Sequence, residues 1–396
     1  MTFLYTVFSL ALVVLLVAGI IEQRRHQRNL DTIPSRILVN GIRGKSSVTR
    51  LCAGALRAGE LTVVAKTTGT AARFIHPDAT EEPVHRKFGI ANVVEQIGIV
   101  RQAAAAQPDV LVMECMAVMP PLQEINQTKL IQSTIGVLSN VREDHLQEMG
   151  PTLEDVARSL SRSMPVGGVC VTAERDLLPI LQEEADKRSC HLIAVDSDDV
   201  TDDEMAGFRY HSFKENVAIS LEVARLLGVP REQALKGMWD APPDPGVLTV
   251  ESYDFDGKSL RFANVFAAND PRSTVMNVQE LIEQGRIQPP VFTLVNCRPD
   301  RVERNGQMGE IVSELRTDKL FAIGHPTKSA LAKVPAGWSG QVFDLGGANR
   351  PVGEILRTIV DQIDHDASLV AIGNIHGQGE KLLLHLENAA KAGVQC

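Results

Sequence analysis

The chain has 396 residues, 44% hydrophobic and only 4% aromatic, with a formal net charge of -9. That length allows two or three domains with full cores, and the acidic balance and scarce aromatics exclude a basic or base-stacking nucleic-acid binder. The cysteines (52, 115, 170, 190, 297 and 396) form no CxxC or Cys/His zinc pattern, so reduced thiols are expected.

From Phe3 to Ile21 the chain carries no charge, and Thr6 and Ser9 are its clearly polar side chains. As a helix this stretch is about 28 Å long, near the hydrocarbon thickness of a bilayer. Glu22 to Arg28 follows with three arginines, which belong on the cytoplasmic side and place the N-terminus outside. A cleaved signal peptide and an apolar core helix compete with this reading. Signal peptides carry their charge before the apolar run, and no Ala-x-Ala site follows here.

Short β-branched runs then alternate with helical stretches, the pattern of an α/β protein with a largely parallel sheet. Strands are predicted at 37–39, 62–64, 110–113, 135–138, 169–171 and 192–195. Val217, Leu221, Ala224 and Leu227 predict a helix over 216–227, stopped by Gly228 and Pro230. Asp240 to Gly246, rich in proline, reads as a linker. Alternation resumes beyond it, with strands predicted at 260–266, 291–295, 320–323 and 369–372 of a smaller α/β domain.

The chemistry concentrates at strand ends. Strand 37–39 runs into Asn40-Gly41-Ile42-Arg43-Gly44-Lys45-Ser46-Ser47, with a helix beginning near Lys45. Glycines let backbone N–H groups approach phosphate oxygens, and the helix N-terminus adds favourable partial charge. Lys45 would reach the β/γ-phosphates and a Ser46 or Ser47 hydroxyl would ligate Mg²⁺. Val39 stands where the long form of this loop has its first glycine, so the loop is the short GxxGKS type, and a plain strand–turn–helix competes with nucleotide binding. Glu114 ends the strand 110–113, where ligands and metals bind in open α/β sheets. Asp144 and His145 follow the strand 135–138 in the same way. Cys115 reads as a buried structural thiol.

Together with Glu114 to Val118, Asn140 to Leu146 and Asn216, this loop resembles the Mur ligase superfamily, which includes the folylpolyglutamate synthases. Lys66 to Arg73, Ala241 to Gly246, Ala267 to Asp270, Asn296 to Arg301 and Gly373 to Gly377 bring the resemblance closer to the CapB/PgsB family, the ligase subunit of bacterial poly-γ-glutamate synthase. It implies an N-terminal anchor with a basic juxtamembrane segment (1–33), a P-loop ATP-binding ligase domain (34–240) and a Rossmann-like C-terminal α/β domain (241–396). The implied reaction uses ATP and Mg²⁺, or Mn²⁺, to activate a γ-carboxylate as an acyl phosphate, which the amine of glutamate then attacks.

By the same resemblance Gly41, Arg43, Gly44, Lys45, Ser46 and Ser47 hold phosphate, and Ser46, Thr68 and Glu114 hold metal, with His145 at a second ion. Arg73 holds a glutamate carboxylate and Asn216 contacts adenine. Asn269, Asp270, Arg298 and Arg301 close over ATP and substrate. Thr67, Thr68 and Thr70 would supply metal or phosphate hydroxyls but read equally well as a turn, and Arg298, Asp300 and Arg301 as a surface ion-pair cluster. Gly373 to Gly379 is open between an oligomer contact, a second phosphate site and a turn. Many superfamily members carry a carbamylated, metal-bridging lysine after the Asp-His pair. Leu160 stands there in this chain, and no lysine occurs between 130 and 186. Implied partners are the growing poly-γ-glutamate chain, CapC/PgsC- and CapA/PgsA-like membrane subunits, the bilayer of the bacterial inner membrane and further copies of the chain. A membrane-tethered nucleotide-binding subunit that drives export without making the amide is the competing function, and a small-molecule P-loop kinase a third.

Overall fold

The computed structural model describes residues 2–68, 72–84, 92–208, 210, 212–244, 248–255, 257–266, 268, 270–347 and 349–392. Thr70, Gly246 and Asn269 lie outside the described residues. Two compact units divide the chain, Met1–Asp244 and Pro245–Cys396.

The first unit opens with one unbroken helix, α1 (Thr2–Asp31), long and apolar enough to cross a membrane. Its apolar run is exposed, whereas one side of its last turns is covered: His26 and Leu30 are buried, as is Ile33 just beyond the helix. The basic segment is thus part of the same rod, and its end belongs to the core of the unit.

The strands of this unit are β1 (Ser35–Asn40), β2 (Val63–Lys66), β3 (Arg73–Ile75), β4 (Glu81–Pro83), β5 (Val110–Glu114), β6 (Ile135–Leu138), β7 (Val169–Thr172) and β8 (His191–Ala194). They pair in the order β4-β3-β2-β5-β1-β6-β7-β8. The run from β2 to β8 is parallel, and β3 and β4 add an antiparallel edge. Central strands in such a sheet are covered on both faces, which is why β1 and β5 read as continuous aliphatic runs. The helix α2 (Lys45–Ala58) lays Val48, Leu51, Cys52, Ala55 and Leu56 on one face of the sheet. The other face meets α3 (Glu95–Ala105), Leu30 and Ile33. Parallel strands put their carboxyl ends, Asn40, Glu114 and Leu138, on one edge, and that edge is where the phosphate loop emerges.

The predicted strands all appear, with their ends within three residues of those expected. β3 and β4 were not anticipated, being too short to show a period. The helix predicted over 216–227 runs Lys214–Leu226. Asp240 to Asp244 belongs to the first unit, because the Asp244 carboxylate is bonded to Arg50.

In the second unit β9 (Thr249–Phe255), β10 (Lys258–Asn264), β11 (Val291–Cys297), β12 (Lys319–Gly324), β13 (Gln341–Asp344) and β14 (Asp366–Gly373) form a sheet ordered β13-β12-β11-β14-β10-β9. It is parallel except for β9, which pairs antiparallel with β10. Apolar clusters cover its two faces, one around Phe262, Phe292 and Leu369, the other around Val278, Val295 and Ile372. β9 and β13 went unpredicted because both are half-exposed edge strands with mixed side chains.

Candidate functional site

β1 delivers Asn40 into the core, where its amide donates to Gln123 Oε1 (2.8 Å) and Ser163 Oγ (2.9 Å). The chain then turns at Gly41, with φ +133°. A Cβ at Gly41 would lie 2.1 Å from Ser139 Oγ, so only glycine fits between the loop and the end of β6. Gly44, at φ +78°, is the left-handed residue from which α2 starts. Asn216, at the start of the helix Lys214–Leu226, packs its amide over it. Arg43 is gripped by that same strand end. Its N–H donates to Asn140 Oδ1 (3.0 Å), and its carbonyl accepts from Asn140 Nδ2 (3.0 Å) and Ser139 Oγ (2.7 Å). Its guanidinium lies 3.4 Å from Asp144.

Lys45 Nζ donates to the carbonyls of Gly41 (2.8 Å) and Ile42 (3.2 Å), which seats the ammonium inside the loop. One residue on, Ser46 Oγ donates to Glu114 Oε2 at 2.8 Å. The backbone N–H of Thr68 donates to the same oxygen at 2.7 Å. Glu114 is 2% exposed, so a buried carboxylate, a hydroxyl and an ammonium converge at the N-terminus of α2. Ser47 follows in its first turn, half-buried. A cavity of about 270 Å³ opens here, lined by Asn40, Gly41, Lys45, Thr68, Glu114 and His145 among others.

His145 sits at the rim with φ +51°. Its N–H donates to Asp144 Oδ1 (2.9 Å), and its imidazole lies 3.9 Å from both Asp144 and Glu148. Among the described residues no group of three or more His, Cys, Asp or Glu assembles into a metal cluster. The donor set at the loop, one hydroxyl beside one carboxylate, fits a hard divalent ion that keeps phosphate oxygens and waters as its other ligands. Leu160 is fully buried among Ile42, Leu138, Val141 and Met149.

Thr67 is buried, and its hydroxyl accepts from the Arg73 N–H (3.1 Å). That hydroxyl serves the β2–β3 turn, whereas Thr68 reaches Glu114. Arg73 opens β3, beside the exit of β2. Cys115 is buried and its thiol is pushed up by burial, as a structural cysteine should be.

In the second unit Asp270 caps the helix Pro271–Glu283 by accepting from Ser273 N–H (2.8 Å). Arg298 pairs with Asp300 (2.7 Å) and donates to Asn374 Oδ1 (3.3 Å), while Arg301 lies 3.9 Å from Asp300. The Gly373–Gly379 loop is pinned from beneath. Asn296 Nδ2 donates to the Asn374 and His376 carbonyls, and Gln378 Oε1 accepts from Gly324 N–H.

Sequence reasoning missed Ser139 as a support of the loop, and it missed a buried ion cluster. Arg50, four residues after Ser46 on α2, is bonded to Glu81 and Asp244. The available signal was an arginine on the otherwise apolar side of α2.

A glycine loop feeding a helix, with a buried carboxylate on the adjacent strand and a second α/β unit beyond, is the architecture of a P-loop ligase body of the Mur type. The Mur ligase middle domain profile matches residues 39–229, and that of the poly-gamma-glutamate synthase CapB C-terminal domain matches 250–389. The chain is 37% identical to PGA synthase CapB of Bacillus subtilis (strain 168), covering 94% of this chain and 95% of that one. It is 36% identical to the capsule biosynthesis protein CapB of Bacillus anthracis, covering 95% and 82%. A folylpolyglutamate synthase/dihydrofolate synthase solved with Mn, AMPPNP and L-glutamate bound has the same fold, with a TM-score of 0.62 at 16% identity over 92% of this chain and 93% of that one. The chain belongs to the poly-γ-glutamate synthase CapB family, and it is an ATP-dependent amide ligase of poly-γ-glutamate synthesis.

Proposed function

We propose that this ligase joins glutamate to a growing poly-γ-glutamate chain with ATP and Mg²⁺ at the Lys45–Ser46–Glu114 junction. The observation that carries the reading is the shared Glu114 oxygen, which meets the Ser46 hydroxyl and the Thr68 N–H at the mouth of the phosphate loop. Phosphoryl transfer needs positioning and charge neutralisation more than covalent help from the protein. The γ-phosphoryl group passes from ATP to a γ-carboxylate oxygen of the chain end, and ADP leaves. The glutamate amine then attacks the acyl carbon, gives up a proton, and phosphate departs as the amide forms.

Lys45 offsets the charge on the β/γ-phosphates while the N–H groups at the start of α2, from Gly44 to Ser47, orient them. Ser46 and Glu114, with Thr68 alongside, would hold the divalent ion, which would supply further charge neutralisation. Mn²⁺ substitutes for it, in keeping with the Mn in the folylpolyglutamate synthase complex. Arg43 and Asn216 border the nucleotide, Asn216 toward adenine, and Arg73 takes a glutamate carboxylate. His145, at the cavity rim, would be the candidate ligand of a second divalent ion, which would supply further charge neutralisation. Asn269, Asp270, Arg298 and Arg301 are the C-terminal domain's own candidates for binding nucleotide or substrate.

Helix α1 spans the bacterial inner membrane once, with the body in the cytoplasm, beside CapC/PgsC- and CapA/PgsA-like subunits and other copies of the chain. The test is ATP turnover by full-length protein in membranes with those subunits. ADP and phosphate release should depend on glutamate and match amide formation one for one. ATP consumption without incorporated glutamate would sustain the export-subunit reading instead.

A further inference from the structure

We propose that α1 mounts the first unit rigidly on the bilayer, with the amino edge of its sheet against anionic headgroups and the nucleotide site turned away. This rests on α1 being a membrane span and adds the orientation of the body upon it. Helix α1 continues without a break from the exposed apolar run into residues packed on the body. His26 Nε2 is bonded to the Leu130 carbonyl (2.9 Å), and Gln27 and Gln132 exchange amide hydrogen bonds (3.3 and 2.9 Å).

Arg36, at the start of β1, fastens the joint. Its guanidinium donates to the carbonyls of Leu30 (3.2 Å) and Ile33 (2.6 Å) at the end of α1. It also donates to those of Ile131 (3.1 Å) and Gln132 (3.0 Å), at the end of the helical segment Asn126–Ile131. A cation facing two helix carboxyl ends satisfies carbonyls that have no intrahelical partner and meets their negative partial charge.

The place of the joint sets the orientation. Leu130 to Gln132 precede β6, and Ser35 opens β1, so α1 leaves from the amino edge of the parallel sheet. Gly41, Glu114 and Ser139 lie at the opposite edge, about 20 Å away along the strand. At 1.5 Å rise per residue, His26 is only about 8 Å below Ile21, within the polar layer that flanks the hydrocarbon. Arg24 and Arg25 occupy that interval, Arg28 follows within a turn, and all three are exposed, which suits phosphatidylglycerol-type headgroups. Water-soluble ATP and glutamate then reach the loop from the aqueous side.

The test uses the full chain with Cys396→Ser, since the described native cysteines are all buried. A donor dye is placed by Ala105→Cys, at the amino-edge end of α3, or by Gln147→Cys, just past the carboxyl end of β6; both residues are exposed. Protein is reconstituted in phosphatidylethanolamine–phosphatidylglycerol vesicles with a headgroup-linked acceptor. Energy transfer should be several-fold stronger from position 105 than from 147, and a flexible Gly-Ser insertion after Arg25 should erase the difference. Flotation with the vesicles but equal transfer from both positions, or a difference that survives the insertion, overturns the rigid mount and leaves the anchor standing. Failure to float overturns the anchor, and the orientation with it.

Discussion

Arg50 and Asp244 are joined by a largely buried ion pair, Nε to Oδ1 at 3.1 Å, that ties the second turn of the phosphate-loop helix to the last residue of the first unit. Glu81 on β4 takes the other edge of the same guanidinium. One cation thus holds two acids from distant segments, and only the planar fork of arginine provides donors in both directions. Because Asp244 is where the chain leaves the unit, Arg50 fixes that exit point relative to the loop.

Removing the cation leaves the part-buried Glu81 and Asp244 carboxylates, 21% and 16% exposed, without it. Arg50→Met is expected to destabilise the protein by about 3–5 kcal/mol, the usual cost of breaking a buried pair from one side. Urea unfolding of the first-unit transition measures it. Adding Glu81→Gln and Asp244→Asn to Arg50→Met should restore part of the loss, since the stranded charges disappear.

Burial pushes the Asp244 carboxyl up to about 6 against the pull of Arg50, with Glu114 and Glu81 adding repulsion. Its ordinary value is 3.8, so between about pH 4 and pH 6 the folded chain holds a proton that the unfolded chain has lost. Stability from this group is complete below pH 4 and declines as pH rises through 6, by roughly 3 kcal/mol across that window. Wild type minus Asp244→Asn, compared in unfolding free energy over the same range, should show the slope. A flat difference would mean that Asp244 is ionised throughout.

At the loop, Ser46→Ala and Glu114→Gln each remove one half of the hydroxyl–carboxylate pair. Both are expected to lower kcat by about 10²–10³-fold, the scale for losing a preorganised electrostatic partner, and to raise the Mg²⁺ concentration needed for half-maximal rate. Lys45→Ala should abolish turnover while the fold persists, because among the described residues the Lys45 ammonium is bonded to loop carbonyls that water can satisfy. Metal titration of ATP turnover separates the cases. A normal Mg²⁺ requirement in Glu114→Gln would remove Glu114 from the metal site.

How much of this was legible in the sequence follows from the range of the interactions. The loop, α2 and the central strands were readable because glycine spacing and aliphatic runs encode them locally. Glu114 was readable because a lone acid after four aliphatic residues marks a strand's carboxyl end. The pairing of Arg50 with Glu81 and Asp244 was not, because its partners lie 31 and 194 residues away and nothing local marks them. β3 and β4 escaped for a different reason: three-residue strands are fixed by their neighbours, not by their own pattern. The apolar run of α1 was plain, but its continuity into the core depends on Arg36 bonding carbonyls that no pattern reveals.

Gly41→Ala tests the tightness of the loop. The added methyl would lie 2.1 Å from Ser139 Oγ, and φ +133° is strained for any L side chain. Ser139 would have to give up its bond to the Arg43 carbonyl. Expected outcomes are a loss of about 1–3 kcal/mol in stability and a raised KM for ATP, read by thermal melts and initial rates. Ser139→Ala in the same background should relieve the clash and restore part of the stability.

Leu160 is fully buried beside Ile42 and Val141, at the place where the superfamily resemblance puts a carbamylated lysine. A lysine carbamate forms from CO₂ and reverts when CO₂ is withdrawn, so enzymes that rely on one gain rate from bicarbonate. With an apolar side chain in that position, and no lysine between 130 and 186, ligase activity should be the same in degassed, CO₂-depleted buffer as in bicarbonate. A several-fold bicarbonate activation would point to a carbamate on another lysine of the chain. Introducing the amine, Leu160→Lys, is not expected to improve catalysis. It buries a charge among aliphatic neighbours and should cost several kcal/mol of stability, visible as a lowered Tm before any gain in rate.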